Sequence, residues 1–204
     1  MFTTMYDEVI FDLETQRFFD EAPDPSMFGV SVLSLYVRKL DKNLNEIEGK
    51  MLSFFEDEVK TAWDYFKNAH RVIGFNSKRF DVPVLKPYLP EIVTLPHFDI
   101  LEHIKEINGK RVSLNAVAKE TLGQQKVDEG GNAIVYWQKH DEESLRKLKY
   151  YCEEDVRITK EIYDYGLKNK KLKFKDFWND LKEIDVDFSY PVIEKPQEEQ
   201  TSLF

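Results

Sequence analysis

The sequence predicts an α/β or α+β layer fold, and three observations predict it. Strand-like apolar runs come first, between residues 6 and 56. Segments with helical apolar spacing then mix with a short strand, between residues 57 and 165. Alternation of period two returns in residues 171–188.

Residues 6–12 read as the first strand, with Val9, Ile10 and Phe11 running into Asp12. MFGVSVLSLYVR, 27–38, is rich in β-branched and apolar residues and reads as the second strand. KMLSFFE, 50–56, reads as the third, and the polar DKNLNEIEG between them is of hairpin type. Residues 57–70 put Val59, Ala62, Trp63 and Phe66 at helical spacing, with Asp57 as a candidate cap. RVIGFN, 71–76, is a short apolar strand. DILEHIKEI, 99–107, predicts a helix capped by Asp99. A clearer helix spans 113–123, with Ser113 as cap, Leu114, Val117, Ala118 and Thr121 on one face, and Gly123 as stop. A flexible stretch is expected around 129–132. The longest helix is expected from about 142 to 165, on the spacing of Leu145, Leu148, Cys152, Val156, Thr159 and Tyr163, ending at Gly166. In 171–188 lysines and aspartates alternate with Leu172, Phe174, Ile184, Val186 and Phe188, which predicts a terminal hairpin turning near Asn179-Asp180. Residues 1–190 read as a single domain, and 191–204 as a polar, flexible tail.

Composition bounds the function. The 204 residues are 42% hydrophobic, as in a globular chain with a substantial core. A single cysteine, Cys152, excludes an internal disulfide and fits a reducing cytoplasm. No apolar run is long enough to span a bilayer, so a cytoplasmic protein with no membrane partner is expected. The net charge of −9 argues against a protein that coats nucleic acid, which needs a basic surface. It leaves room for an enzyme that grips one strand end through metal ions and a few local lysines.

Asp12 and Glu14 are one residue apart on a strand, so they share a face while Leu13 points to the core. Two like charges so placed repel, and either a divalent cation or plain solvent exposure would offset the repulsion. Tyr151 and Asp155, four apart on the long helix, share a face beside the apolar stripe of Leu148, Cys152 and Val156. A core-facing carboxylate such as Asp155 needs a partner. Glu153 and Glu154 are expected to face solvent. Asp81, in NSKRFD, follows a predicted strand, where binding groups of open α/β sheets collect. Asp12, Glu14, Asp81 and Asp155, with Tyr151 adjacent, form a four-carboxylate set without histidine or cysteine.

FDLET, the Asn76…Phe80-Asp81 segment and the Tyr-x-x-x-Asp helix, in that order, resemble the three motifs of the DEDD superfamily of 3′–5′ exonucleases. Tyr151, where another branch has histidine, resembles the DEDDy branch. The resemblance runs from about residue 6 to 165. Ser77, Lys78 and Arg79 between Asn76 and Phe80 are not assigned by the family pattern. The resemblance implies a ribonuclease-H-like mixed sheet flanked by helices. It implies two divalent cations, Mg²⁺ or Mn²⁺, held by Asp12, Glu14, Asp81 and Asp155, with Asp12 bridging both and Tyr151 positioning the attacking water. The implied reaction releases nucleoside monophosphates from a single-stranded or frayed DNA 3′ end. An RNA 3′ end, or a nuclease-like module that only binds, are the alternatives.

Asn76, Lys78, Arg79 and Phe80 are the candidate substrate contacts, the two bases for the backbone and Phe80 for a terminal base. Core packing is an equal reading of Phe80. Lys168, Lys170, Lys171, Lys173 and Lys175 are either a solvated hairpin face or a phosphate-tracking surface. The last residues read QTSLF. Gln200, Ser202, Leu203 and Phe204 resemble the peptide by which bacterial replication and repair proteins bind the sliding clamp, with Thr201 departing from it.

Overall fold

The computed structural model describes residues 6–18, 20–124 and 132–190. The QTSLF segment and the stretch expected to be flexible up to Gly131 lie outside the described residues. Five strands form one sheet in the order β3-β2-β1-β4-β5. They are β1 (Tyr6–Thr15), β2 (Val30–Leu40), β3 (Glu46–Phe55), β4 (Arg71–Gly74) and β5 (His97–Asp99). β1, β2 and β3 pair antiparallel, whereas β4 pairs parallel to both β1 and β5, so the sheet is mixed. Among the described residues six α-helices accompany it: α1 (Trp63–Phe66), α2 (Asp81–Leu85), α3 (Ile100–Asn108), α4 (Leu114–Leu122), α5 (Asn132–Lys139) and α6 (Glu142–Asn169). A separate hairpin of β6 (Lys171–Lys175) and β7 (Leu181–Asp185) follows. The expected mixed sheet with flanking helices and a C-terminal hairpin is the fold observed. Among the described residues no helix is long and apolar enough to cross a membrane.

β1 divides the interior by strict alternation. Val9, Phe11 and Leu13 enter one core with Phe66, Val82, Leu85 and Ile92. Ile10 enters the other core, with Val117, Val156, Ile162 and Phe188. β1 does not stop at Asp12. It continues to Thr15 because β2 goes on pairing with it, Asp12 opposite Ser34 and Glu14 opposite Val32, before the register shifts at Glu14/Thr15.

Several local expectations are corrected. Residues 56–62 form a 3₁₀ helix, and only Trp63–Phe66 are α-helical. Asp57 lies in the first turn, and it is Glu58 that accepts the Phe55 N–H, at 3.3 Å. β2 and β3 are displaced from the apolar runs that predicted them, since cross-strand pairing and not hydrophobicity fixes their ends. α2, α5 and β5 were not expected. Ser113 and Asp99 cap their helices as expected, each accepting a backbone N–H. α6 is capped by Asp141 and runs past Gly166 to a left-handed Lys170. Glu153 and Glu154 are not solvated acids: Glu153 accepts the Ser53 hydroxyl at 2.7 Å and Glu154 pairs with Arg157 at 2.8 Å.

Gly166 has a packing reason. A Cβ there would lie 2.3 Å from Phe188, in the segment that leaves β7 and crosses back over α6. Arg71 ties that segment down by donating to the Phe188 and Ser189 carbonyls at 2.6 and 3.0 Å. Alanine normally favours a helix over glycine by about 1 kcal/mol. Here the clash reverses the sign: Gly166→Ala is expected to destabilise by about 1–3 kcal/mol. Adding Phe188→Ala is expected to cost less than the two single changes summed, as read from urea unfolding of all three variants. Additive costs would remove this explanation.

Candidate active site

Two elements bring the acids together. Asp12 and Glu14 project from the face of β1 that α6 covers, and α6 brings Tyr151 and Asp155, one helical turn apart. One carboxylate oxygen from each of Asp12, Glu14 and Asp155 lies within 4.8 Å of those of the other two. Asp12 and Glu14 are half-buried, while Asp155 and Tyr151 are buried. Cys152 pins the junction, its thiol donating to the Asp12 carbonyl at 3.3 Å. The thiol reports the local field. Burial first, then the charges of Asp12 and Glu14, push its pKa well above the ordinary value. Cys152 is therefore a packed core thiol, as the sequence suggests.

Asp81 lies at the start of α2, after Phe80, which occupies the cap position. It is buried, and it falls outside the 4.8 Å group of three. Burial pushes its pKa up to about 7, helped by the charges of Asp99 and Asp155 and opposed by hydrogen bonds from its own backbone and that of Leu13. Asp81 therefore adjoins the cluster through Leu13 and Asp155.

The turn between β4 and α2 is held from below. Asp99, itself buried, accepts the backbone N–H of Asn76 at 2.9 Å and of Lys78 at 3.0 Å, besides that of Glu102 in its own cap. The sequence marks Asp99 as a helix cap, and its grip on a turn 21 to 23 residues earlier is a tertiary fact that local reading misses. Asn76 adopts a left-handed backbone, φ 68°, which asparagine tolerates better than most residues. Its side-chain oxygen accepts from Arg111 at 2.6 Å. Arg111 carries no motif and drew no attention in the sequence. Of the other candidate substrate contacts, Lys78 extends to Glu102 at 2.7 Å, Arg79 is exposed, and Phe80 is half-buried against the core with its ring 6.0 Å from that of Phe28.

The dense lysine run is largely neutralised. Lys171 and Lys173 pair with Glu183, and Lys175 reaches Glu120 at 4.0 Å. That favours the solvated-hairpin reading of the run.

The donor set suits a hard divalent cation. Three carboxylates with no imidazole or thiolate in the group match the oxygen preference of Mg²⁺ or Mn²⁺. The same three charges repel one another without one.

Comparison with a solved polymerase structure gives the same fold. A family B DNA polymerase from the hyperthermophilic archaeon Pyrobaculum calidifontis superposes with a TM-score of 0.56 at 20% identity, covering 79% of this chain and 24% of the polymerase. The zinc-ion-bound E. coli ExoI–ssDNA complex aligns with a TM-score of 0.46 at 11% identity, over 81% of this chain and 41% of that one. E. coli Exonuclease I with a dA16 oligonucleotide gives 0.43 at 13% identity, over 80% and 41%. The chain thus spans about a quarter of the polymerase chain and two-fifths of the ExoI chains. No curated protein sequence matches it. A family match described as RNase_H_2, RNase_H superfamily, covers residues 9–166, from the strand that bears Asp12 to the far part of the helix that bears Asp155. With that match across the sheet and every element carrying one of the four acids, the chain belongs to the RNase_H superfamily.

Proposed function

We propose that this chain is a metal-dependent 3′–5′ exonuclease of the DEDDy type. It hydrolyses phosphodiester bonds at single-stranded or frayed DNA 3′ ends and releases nucleoside monophosphates. The reading rests on one observation above all, the convergence of Asp12, Glu14 and Asp155 within 4.8 Å beside Tyr151. In this reading Asp12, Glu14 and Asp155 hold one cation, and Asp12 and Asp81 a second. Such a pair, when bound, activates water and neutralises charge on the attacked phosphate. The chain's own groups do the rest. A neutral phenol is a weak base but a good hydrogen-bond partner, so Tyr151 orients the attacking water. The Leu13 N–H and the α2 backbone hold the Asp81 carboxylate in place. Burial of Asp155 on the side of α6 that packs on β1 fixes the direction from which its oxygens approach the cluster.

The test uses 5′-labelled single-stranded DNA and RNA of one sequence, with Mg²⁺ or Mn²⁺ and with chelator. Expected is a ladder shortening from the 3′ end, faster on DNA, and abolished by chelator. Asp12→Asn is expected to slow it by more than about 100-fold and to shrink the rise in melting temperature that metal gives the wild type. Cleavage that persists in chelator or in the variant would sink the two-metal reading, and faster RNA digestion would overturn the DNA preference.

Asp81 adds a pH signature. Its folded pKa is raised above the unfolded value, so between about pH 4 and pH 7 the folded state holds a proton that the unfolded state has lost. Stability in chelator should therefore fall as pH rises through this window. Asp81→Asn should flatten that slope in melting temperatures taken from pH 4 to 8. An unchanged slope would assign it elsewhere.

We also propose that residues 200–204 dock on a sliding clamp, with Leu203 and Phe204 as the apolar anchors and Gln200 and Ser202 beside them. Tethering would offset the repulsion of an acidic protein from DNA by raising its local concentration. Deleting 200–204 is expected to abolish clamp binding in a pull-down while leaving hydrolysis of a short oligonucleotide unchanged. Clamp binding that survives the deletion would remove the claim.

A further inference from the structure

A second functional element sits beside the acids, and it rests on the nuclease reading above. We propose that Arg111 is the ligand for a backbone phosphate of the bound strand, held in place by Asn76 and assisted by Arg79.

The argument starts from charge. A chain of net charge −9 repels a polyanion at long range, so the strand must be held by cations placed locally. Several bases are already spent on acidic neighbours: Lys78 on Glu102, Arg157 on Glu154 and Glu161, Lys171 and Lys173 on Glu183. Arg111 is different. It donates to a neutral amide oxygen, Asn76 Oδ1, at 2.6 Å, so its charge is kept. No carboxylate among the described residues pairs with Arg111 or Arg79, and both are exposed. A guanidinium has five N–H donors in a planar fork, and the Asn76 bond leaves a pair of them for a phosphate.

Position follows from a chain of bonds. The buried Asp99 carboxylate grips the Asn76 and Lys78 N–H groups, which fixes the turn. The left-handed Asn76 backbone then sets the direction of its side chain, and the side chain sets Arg111. The same turn carries Arg79 and leads directly into Asp81. The guanidinium is thus fixed relative to one of the four acids. An arginine so held loses little freedom on binding, which is the condition for a specific phosphate contact.

The test compares two substrates on the full-length protein with Mg²⁺. One is a single-stranded DNA 12-mer. The other is the p-nitrophenyl ester of thymidine 5′-monophosphate, which has a scissile phosphate and no further one. Arg111→Gln is expected to raise KM for the 12-mer about tenfold with a much smaller change in kcat. Its effect on the ester should be far smaller. The slope of log KM against log salt should fall by about 0.7, one phosphate on a single strand. Arg111→Lys, which keeps the charge but not the fork, should restore the salt slope and only part of the KM. An unchanged KM and salt slope on a 12-mer that is still cleaved would overturn the proposal and leave the nuclease reading intact. Equal losses on both substrates with a lowered melting temperature would also overturn it, by assigning Arg111 a structural role. A wild-type protein that cleaves neither substrate would sink the nuclease reading, and this inference with it.

Discussion

A buried carboxylate fixes how this molecule is assembled. Glu8 is fully buried in the middle of the sheet, where an unpaired charge costs several kcal/mol. It is satisfied from three elements at once: the Arg38 guanidinium of β2 at 2.7–2.8 Å, the Tyr163 hydroxyl of α6 at 3.1 Å, and the Tyr190 hydroxyl beyond β7 at 2.5 Å. Burial and the Glu8 charge together push both phenols' pKa up, so they stay donors. The arrangement sets the register of α6 on β1. From Glu8 to Asp12 the strand advances about 13 Å. From Tyr163 back to Asp155 the helix advances about 12 Å. Asp155 therefore arrives where Asp12 is, and the Cys152 bond to the Asp12 carbonyl closes the second end of the same alignment.

The acids also lie where the sheet opens. β4 accompanies β1 only from Glu8 to Ile10, and β2 shifts register at Glu14/Thr15. Beyond Ile10 the β1 backbone on that side has no strand beside it among the described residues, and the Leu13 backbone is one of the groups that hold the Asp81 pKa down. A parallel strand that stops early leaves room for side chains from two helices, α2 and α6, to approach one strand. Asp99 joins this arrangement from the end of β5, so the sheet's shortest strands hold the loop that carries Asn76 and Asp81.

What was legible in the sequence is what local geometry determines. Alternation put Asp12 and Glu14 on one face, and the four-residue spacing put Tyr151 and Asp155 on one face. The caps at Asp99 and Ser113 are local too, and each was read correctly. What escaped depends on distant partners. β5 is three residues long and exists by pairing with β4. α2 is five residues with a proline inside it, too short for any periodicity. α5 follows glycines and packs its apolar face against Leu148 and Cys152. Gly166 reads as a helix stop until the ring of Phe188 is found lying across it. Glu8 reads as a polar strand start, since its three hydroxyl and guanidinium partners come from 30 to 182 residues away.

The strict alternation along β1 has an evolutionary corollary. Substitutions there act one side chain at a time, and many volume-conserving changes at Val9 or Leu13 are tolerable. Insertion or deletion of one residue between Glu8 and Asp12 is another matter. Every later residue would turn over, so Asp12 and Glu14 would enter the core lined by Phe66 and Leu85 while Leu13 faced α6. Descendants of this chain can therefore change length freely in the exposed turn around Lys42 and Asn43, where only local hydrogen bonds to Asp41 would be lost. Within β1 the reading frame of the side chains is inherited whole.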